Sequence, residues 1–250
     1  MGRILTLAVS YTLFLTSYPV SIVIYLGSKA KLSSHLLPIL NNLRDEGQLY
    51  VEPFMGGCNM LDKVTGRRWG NDKHYYLVKL FEALNRGWEP PSNVSRAFYN
   101  EVKRNKDNYP PELVAFIGFG CTFGSMWWAV YACCKKDVNY ALRCKKGLMA
   151  QKEGLKGVRF TNLDYTSMVF EERSLIYCDP PYKGTAGYSV EFDYDGFWGW
   201  AWQKHWEGHT VVVSEYSAPK GVKEIASFKV KCVIDKGKGS FREEKVFMFE

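Results

Sequence analysis

The sequence predicts an α/β protein, a Rossmann-like, doubly wound sheet that carries a small and mainly helical inserted lobe. Short apolar stretches that stop at turn residues alternate with segments whose apolar residues recur at helical spacing. Two strand-like stretches, FKVKCVID and EKVFMFE, lie close together at the end of the chain. Between residues 93 and 157 the alternation stops, and mixed-charge and aromatic segments replace it. Alternating strands and helices are typical of a mostly parallel sheet with helices on both faces.

The first elements in order are a helix over residues 31–44, where five leucines share one face, and a strand over 49–51. The strand runs into the glycine pair Gly56-Gly57. A second strand ends at Asn71-Asp72, and a helix follows over 74–86 until Pro90 and Pro91 break the chain.

The later elements begin with the predicted lobe over residues 93–157, which contains helical stretches and many lysines. Strands then resume at VRFTN, SLIYCD and HTVVVSEY, ahead of the two closing strands. We therefore divide the chain into an uncharged N-terminal extension (1–24), a first part of the sheet (25–92), the lobe (93–157) and a second part of the sheet (158–250).

Composition and charge restrict the possible partners. A net charge of +7 favours a polyanionic partner such as nucleic acid. The seven cysteines show no CxxC spacing and the chain has four histidines, so we expect no metal site. Unpaired thiols of this kind are typical of a reducing compartment, which predicts a cytoplasmic protein.

The N-terminus permits two interpretations. No charged residue occurs from residue 4 to residue 28, which is compatible with a signal peptide or a membrane span. The same run contains many Ser, Thr and Tyr residues and a proline, which a bilayer core disfavours. We expect an extension ahead of a soluble domain, with no membrane attachment.

The glycine corner in EPFMGG follows a predicted strand. Glycines there would let backbone amides approach a ligand, although a tight structural turn explains the pair equally well. No GK[ST] follows, so the corner is not a phosphate-binding loop. Asp72, at the end of the next strand, suits paired ribose hydroxyls, and a helix N-cap is the alternative role.

The stretch DPPY places Asp179 and Tyr182 on a rigid turn after an apolar strand. The Asp179 carboxylate and the Pro180 carbonyl could hold both hydrogens of an aromatic amine. The nitrogen lone pair would then point at an electrophilic methyl, a gain of orientation and charge stabilisation. Tyr182 offers a ring on which an extruded base could stack.

EPFMGG, NDK and DPPY, in this order, resemble the Dam-like DNA adenine methyltransferases, particularly the small phage-borne ones. The motifs YLGSK, GFGCTFGSMWW, SEYSAP and REE agree, so the resemblance covers the chain from about Tyr25 to Glu250. It implies a methyltransferase sheet, S-adenosylmethionine as donor, S-adenosylhomocysteine as product, no metal, and double-stranded DNA whose target adenine is flipped out.

The resemblance also assigns site residues. Tyr25 and Lys29 would lie against the donor, with Glu52, Phe54, Gly56 and Gly57 at its methionine end, Asp72 at its ribose and Asp164 near its adenine. The target-base pocket would consist of Asp179, Pro180, Pro181 and Tyr182, with Asp179 also close to the donor. Cys58 departs from the family pattern, because many relatives have glycine at its position.

The lobe is basic, and Arg143, Lys145 and Lys146 are predicted to bind DNA phosphates because no acid lies one helical turn from them. A solvated lysine-rich surface is the alternative. Trp127, Trp128 and Tyr131 are expected in the core. The pattern does not indicate a hairpin that reads bases.

The sequence thus predicts a cytoplasmic adenine-specific DNA methyltransferase of restriction-modification or phage type, which acts as a monomer or weak dimer. An RNA amino-methyltransferase of the same fold and a DNA-binding relative without turnover are the alternatives.

Overall fold

The computed structural model describes residues 10–11, 29–133, 138–170, 172–182, 192–231 and 241–250. Strands and helices both occur along this part of the chain, with a run of four helices between β3 and β4. In chain order they are β1 (Ser10–Tyr11), α1 (Ser33–Leu43), β2 (Leu49–Glu52), β3 (Arg68–Asn71), α2 (Tyr75–Asn85), α3 (Arg96–Arg104), α4 (Pro111–Gly120), α5 (Tyr140–Lys152), β4 (Arg159–Thr161), β5 (Ser174–Cys178), α6 (Tyr194–Trp206), β6 (Thr210–Glu215), β7 (Val222–Lys231) and β8 (Phe241–Phe249).

The chain divides into two compact units. The first unit is Pro19–Ser174, and the second unit combines Met1–Tyr18 with Leu175–Glu250. This division does not test the four sequence segments, whose boundaries stay predictions.

In the first unit three short parallel strands lie in the order β2-β3-β4, with Val51 opposite Trp69 and Trp69 opposite Arg159. Parallel strands are buried on both faces, and β2 and β3 each have three buried residues in four. Because β2, β3 and β4 are parallel, their carboxyl ends lie at the same edge of the sheet, where ligands bind in α/β folds.

The lobe of the first unit is helical, as predicted. Helix α4 lies at its centre and packs against α2, α3 and α5. Pro111 begins α4, where a missing amide hydrogen costs nothing, and every residue from Val114 to Phe119 is buried. A helix that is apolar all round must be enclosed, and α4 is.

The second unit contains the sheet order β1-β7-β8-β6-β5. Strands β5 and β6 are parallel, while β8 is antiparallel to both β6 and β7. Helix α6 joins β5 to β6 and buries Phe197, Trp200 and Ala201. The predicted α/β class with Rossmann-like parallel pairing is therefore confirmed.

The structure extends the prediction in two places. Strands β7 and β8 begin before the predicted stretches FKVKCVID and EKVFMFE, and an antiparallel ladder pairs them from Val222 opposite Phe249 to Lys231 opposite Phe241. Residues 232–235 of the first stretch lie outside the described residues. The N-terminal extension contributes β1, whose Ser10 lies opposite Ser227 of β7. In the part of the chain that the structure describes, no helix combines the length and apolar character needed to cross a bilayer.

Candidate active site

The glycine corner lies at the carboxyl end of β2, as predicted. Gly56 has φ of +46°, a conformation that glycine adopts without steric cost. Its amide donates a 2.9 Å hydrogen bond to Oδ2 of Asp72, and the amide of Met55 donates to the carbonyl of Asn71 at 2.9 Å. The ends of β2 and β3 are thus joined by backbone amides.

Asp72 uses both carboxylate oxygens. Oδ1 accepts the amide of His74 at 2.8 Å just before α2. The N-cap of α2 is His74, without a side-chain cap, so Asp72 does not have the N-cap role that was its alternative. Burial raises the pKa of Asp72 to about 6, although the hydrogen bonds from His74 and Gly56 lower it. The accepting oxygens retain lone pairs, so the carboxylate can also bind hydroxyl groups.

Glu52 ends β2 and is buried, with 4% of its surface exposed. Tyr50 donates its hydroxyl hydrogen to Oε1 of Glu52 at 2.9 Å. A buried carboxylate is costly unless hydrogen bonds hold it, and this bond satisfies one oxygen of the Glu52 carboxylate. Lys29 is also buried, at 7% exposure, while Tyr25 lies outside the described residues.

Cys58, at a position where many relatives have glycine, has a backbone conformation that favours glycine. It is fully buried and has φ of +54°, in the left-handed region that favours glycine. Burial, with the charge of Glu52 second, raises the pKa of the Cys58 thiol well above its usual range. The thiol is therefore neutral, and the backbone carries strain that a glycine would lack.

Asn71 connects the loops after β2 and β4. Its buried amide group donates to the carbonyls of Pro53 and Leu163, at 3.1 and 3.0 Å, and its Oδ1 accepts the amide of Leu163 at 3.0 Å. Sequence analysis assigned no role to this side chain. The sequence feature that could have indicated this role is its position at the end of a predicted strand, directly before Asp72.

Asp164 follows β4 and carries a hydrogen bond from Nζ of Lys73 at 2.9 Å, which lowers the pKa of the carboxyl group. The neighbouring Tyr165 ring lies 5.2 Å from the ring of Phe54, centroid to centroid. Glu52, Phe54, Gly56, Gly57, Asp72 and Asp164 therefore lie at the ends of three adjacent parallel strands of the first unit.

The DPPY turn follows β5 in the second unit. Pro180 is buried, and Asp179, Pro181 and Tyr182 are partly buried. The Tyr182 hydroxyl donates to Oε1 of Glu244 at 3.0 Å, and its ring meets that of Tyr216 edge-on, 4.8 Å between centroids. Burial, and then the charge of Asp179, raise the pKa of the Tyr182 hydroxyl well above its usual value, so it stays protonated.

Glu244 and Tyr216 were not assigned roles from the sequence, although both lie in the quoted motifs REE and SEYSAP. They hold Tyr182 from β8 and from the end of β6. Their role depends on strands that are distant in sequence.

The predicted phosphate-binding residues lie on α5. Arg143 and Lys146 are exposed, and Lys145 is partly buried. Nζ of Lys145 lies 3.6 Å from a carboxylate oxygen of Glu89, an acid that is not one helical turn away along α5. The partner comes from outside the helix, which helical spacing cannot reveal.

Of the three aromatic residues predicted to lie in the core, Trp128 is buried, at 6% exposed, whereas Trp127 and Tyr131 are only partly buried. After α4 an isolated antiparallel bridge places Thr122 opposite Tyr131 and closes a loop between them. Phe123 and Met126 are exposed on it, at 60% and 41%. Among the described residues, no cluster of His, Cys, Asp or Glu could hold a metal ion.

The chain is similar to known methyltransferases in part of its sequence. Residues 25–112 match the family model of the D12 class N6 adenine-specific DNA methyltransferases. The predicted resemblance to Dam-like adenine methyltransferases is confirmed over this segment, which contains Glu52, the glycine corner and Asp72. The D12 class match ends before the DPPY turn. No curated protein matches the chain.

One similar solved structure is that of SMU.472, a protein assigned provisionally as a methyltransferase and crystallised with SAH. The identity is 10%, the TM-score is 0.25, and the alignment covers 71% of this chain. The chain spans 54% of that protein's length. Similarity at this level does not establish a shared activity.

Proposed function

We propose that the chain transfers a methyl group from S-adenosylmethionine to the 6-amino group of adenine in double-stranded DNA, which leaves S-adenosylhomocysteine. The observation that carries this proposal is the rigid DPPY turn directly after the buried strand β5. It occurs in a chain whose residues 25–112 match an N6-adenine methyltransferase family.

The ends of β2, β3 and β4 have the chemistry that the methyl donor requires. Asp72 offers a carboxylate to the ribose hydroxyls, and the Gly56-Gly57 corner lets backbone approach the methionine end. Phe54 and Tyr165 present aromatic rings beside Asp164, where we place the adenine of the donor. When bound, S-adenosylmethionine supplies an electrophilic methyl group on a sulfonium.

The DPPY turn has the chemistry that the acceptor requires. The Asp179 carboxylate and the Pro180 carbonyl can each accept one N–H of an adenine amino group, which aims the nitrogen lone pair. The carboxylate also stabilises the positive charge that develops on that nitrogen. Pro181 keeps the turn rigid, and the bond to Glu244 fixes the Tyr182 ring against which a flipped base can stack.

Several finer assignments belong to the same proposal. Arg143, Lys145 and Lys146 contact DNA phosphates, Lys29 and Tyr25 lie against the donor, and the chain works in the cytoplasm as a monomer or weak dimer. A place in a restriction-modification system or a phage genome would fit this activity.

The test is to supply donor with a labelled methyl group and an adenine-containing duplex, and to identify the labelled nucleoside. N6-methyladenine is expected. Asp179→Ala should abolish transfer while duplex affinity stays close to that of the parent protein. Asp45→Ala, which changes an exposed aspartate, should behave like the parent.

Three results would contradict the proposal. Preferential labelling of structured RNA over duplex DNA would favour the RNA methyltransferase. Tight DNA binding without turnover by the parent would favour a DNA-binding relative. An Asp179→Ala variant that turns over near the parent rate would show that the acceptor site is assigned to the wrong turn.

A further inference from the structure

Helix α5 of the lobe reaches the glycine corner through one buried side chain. Gln151, on the last turn of α5, is 6% exposed, and its Nε2 donates a 3.0 Å hydrogen bond to the carbonyl oxygen of Gly57. Both residues belong to the first unit. A side chain of the lobe thus holds the backbone of the loop that is proposed to bind the donor.

The end of α5 is itself held against this loop. Arg68 donates from its guanidinium to the carbonyls of Leu61 and Gly154, and to that of Lys156 at 2.6 Å. A Cβ atom at Gly154 would collide with the carbonyl oxygen of Asp62, so the two backbones are in close contact. Gln151 therefore acts from a rigid support.

The loop needs such support because its own backbone is strained. Gly57 lies between Gly56 and Cys58, which both have positive φ, and Cys58 is not a glycine. Within the loop the amide of Cys58 donates to the carbonyl of Met55 at 2.8 Å. The hydrogen bond from Gln151 restrains the peptide between the two left-handed residues.

The amide of Gln151 is only half satisfied. Within the described part of the chain its Oε1 is buried and has no hydrogen-bond partner. An apolar side chain of the same length would avoid that cost, so packing alone does not explain a glutamine at this position.

We propose that Gln151 is a positioning residue for the donor site: its amide holds the Gly57 carbonyl and so fixes the loop in the conformation that binds S-adenosylmethionine. This rests on the proposed function, because it assumes that the Gly56-Gly57 loop binds the methionine end of the donor.

The experiment is steady-state kinetics with Gln151→Met, which keeps the length of the side chain and removes the donor group. The KM for S-adenosylmethionine should rise about threefold to tenfold, the range expected for one buried neutral hydrogen bond. The kcat should stay within about twofold of the parent, and the KM for DNA should not change. Gln151→Leu, which is apolar and also cannot donate, should raise the donor KM by a similar factor.

Gln203→Met is the matched control. Gln203 is exposed on α6 and donates from its Nε2 to Glu207 at 2.8 Å, so the same chemical change occurs away from the loop. This variant should keep the donor KM of the parent. Binding of S-adenosylhomocysteine, measured by calorimetry, should weaken in the Gln151 variants by the same factor as the donor KM.

Two results would overturn the inference alone. If the parent transfers methyl groups and both Gln151 variants keep its donor KM, Gln151 does not position the loop. If the variants lower kcat and leave both KM values unchanged, they only reduce the fraction of folded enzyme. A parent that binds neither donor nor product would overturn the proposed function together with this inference.

Discussion

Asp72 should make donor binding depend on pH near neutrality. The pKa of its carboxyl group is raised to about 6 by burial, whereas hydrogen bonds from ribose hydroxyls are strongest to the ionised form. Protonation should therefore compete with the donor. Product affinity should be constant above about pH 7 and fall with decreasing pH, by about tenfold at about pH 5.

The sign follows from which form binds. Because the folded-state pKa lies above the ordinary value of 3.8, the protonated carboxyl is favoured in the fold below about pH 6. Its contribution to stability is complete below the ordinary pKa and is lost as the pH rises through about 6. Binding depends on pH in the opposite direction, since a bound ribose stabilises the carboxylate and lowers this pKa.

His74 does not titrate in the pH range in which Asp72 does. It follows Asp72 by two residues and donates its amide to it, but burial lowers the pKa of its imidazole to about 4. The ring is therefore neutral across the window in which Asp72 titrates.

The assay is calorimetric titration with S-adenosylhomocysteine at half-unit pH steps, for the parent and for Asp72→Asn. The asparagine variant cannot ionise, so its affinity should be weaker at neutral pH by about tenfold or more, the loss expected for a hydrogen bond to a charged group. It should also lose the pH dependence. A parent profile that is flat below neutrality, or an equal slope in Asp72→Asn, would refute the assignment of Asp72 to the donor ribose.

Two further predictions concern the helix α5 and Cys58. Replacing Arg143 and Lys146 with alanine should flatten the salt dependence of duplex affinity by up to about 0.9 log unit per lost contact and leave sequence preference unchanged, since phosphates carry no sequence information. Lys145→Ala should change the salt dependence less, because Glu89 already faces the Lys145 ammonium. If filter binding gives the same slope of affinity against salt for the variants and the parent, these side chains form a solvated surface and do not contact DNA. Cys58→Gly should keep the free energy of unfolding in urea within about 1 kcal/mol of the parent, because relief of the positive-φ strain offsets the lost side chain. Cys58→Val should lower the free energy of unfolding by more than about 2 kcal/mol. If Cys58→Gly and Cys58→Val have equal effects, the backbone at this position is unstrained.

Most strands and helices could be predicted from the sequence because their signals are local, whereas β1 was not predicted. The leucine spacing of α1 and the apolar run of β5 are properties of neighbouring residues, and both elements lie where the sequence places them. Helix α6 was not assigned, since its glycines and tryptophans obscure the helical period. The lengths of β7 and β8 could not be predicted, because only their pairing with each other extends them.

The candidate site divides in the same way. The sequence by itself identified the glycine corner, Asp72 and the DPPY turn, since each combines a strand end with a residue whose chemistry is evident from its type. Only the tertiary structure showed that Asn71 joins two loops, that Glu244 holds Tyr182 and that Gln151 supports Gly57. These contacts join residues 18 to 94 positions apart, with no sequence spacing to predict them. Packing of the folded chain alone brings such polar atoms within hydrogen-bond distance. The residues proposed to carry the chemistry could therefore be identified from the sequence, and those that hold them in place could not.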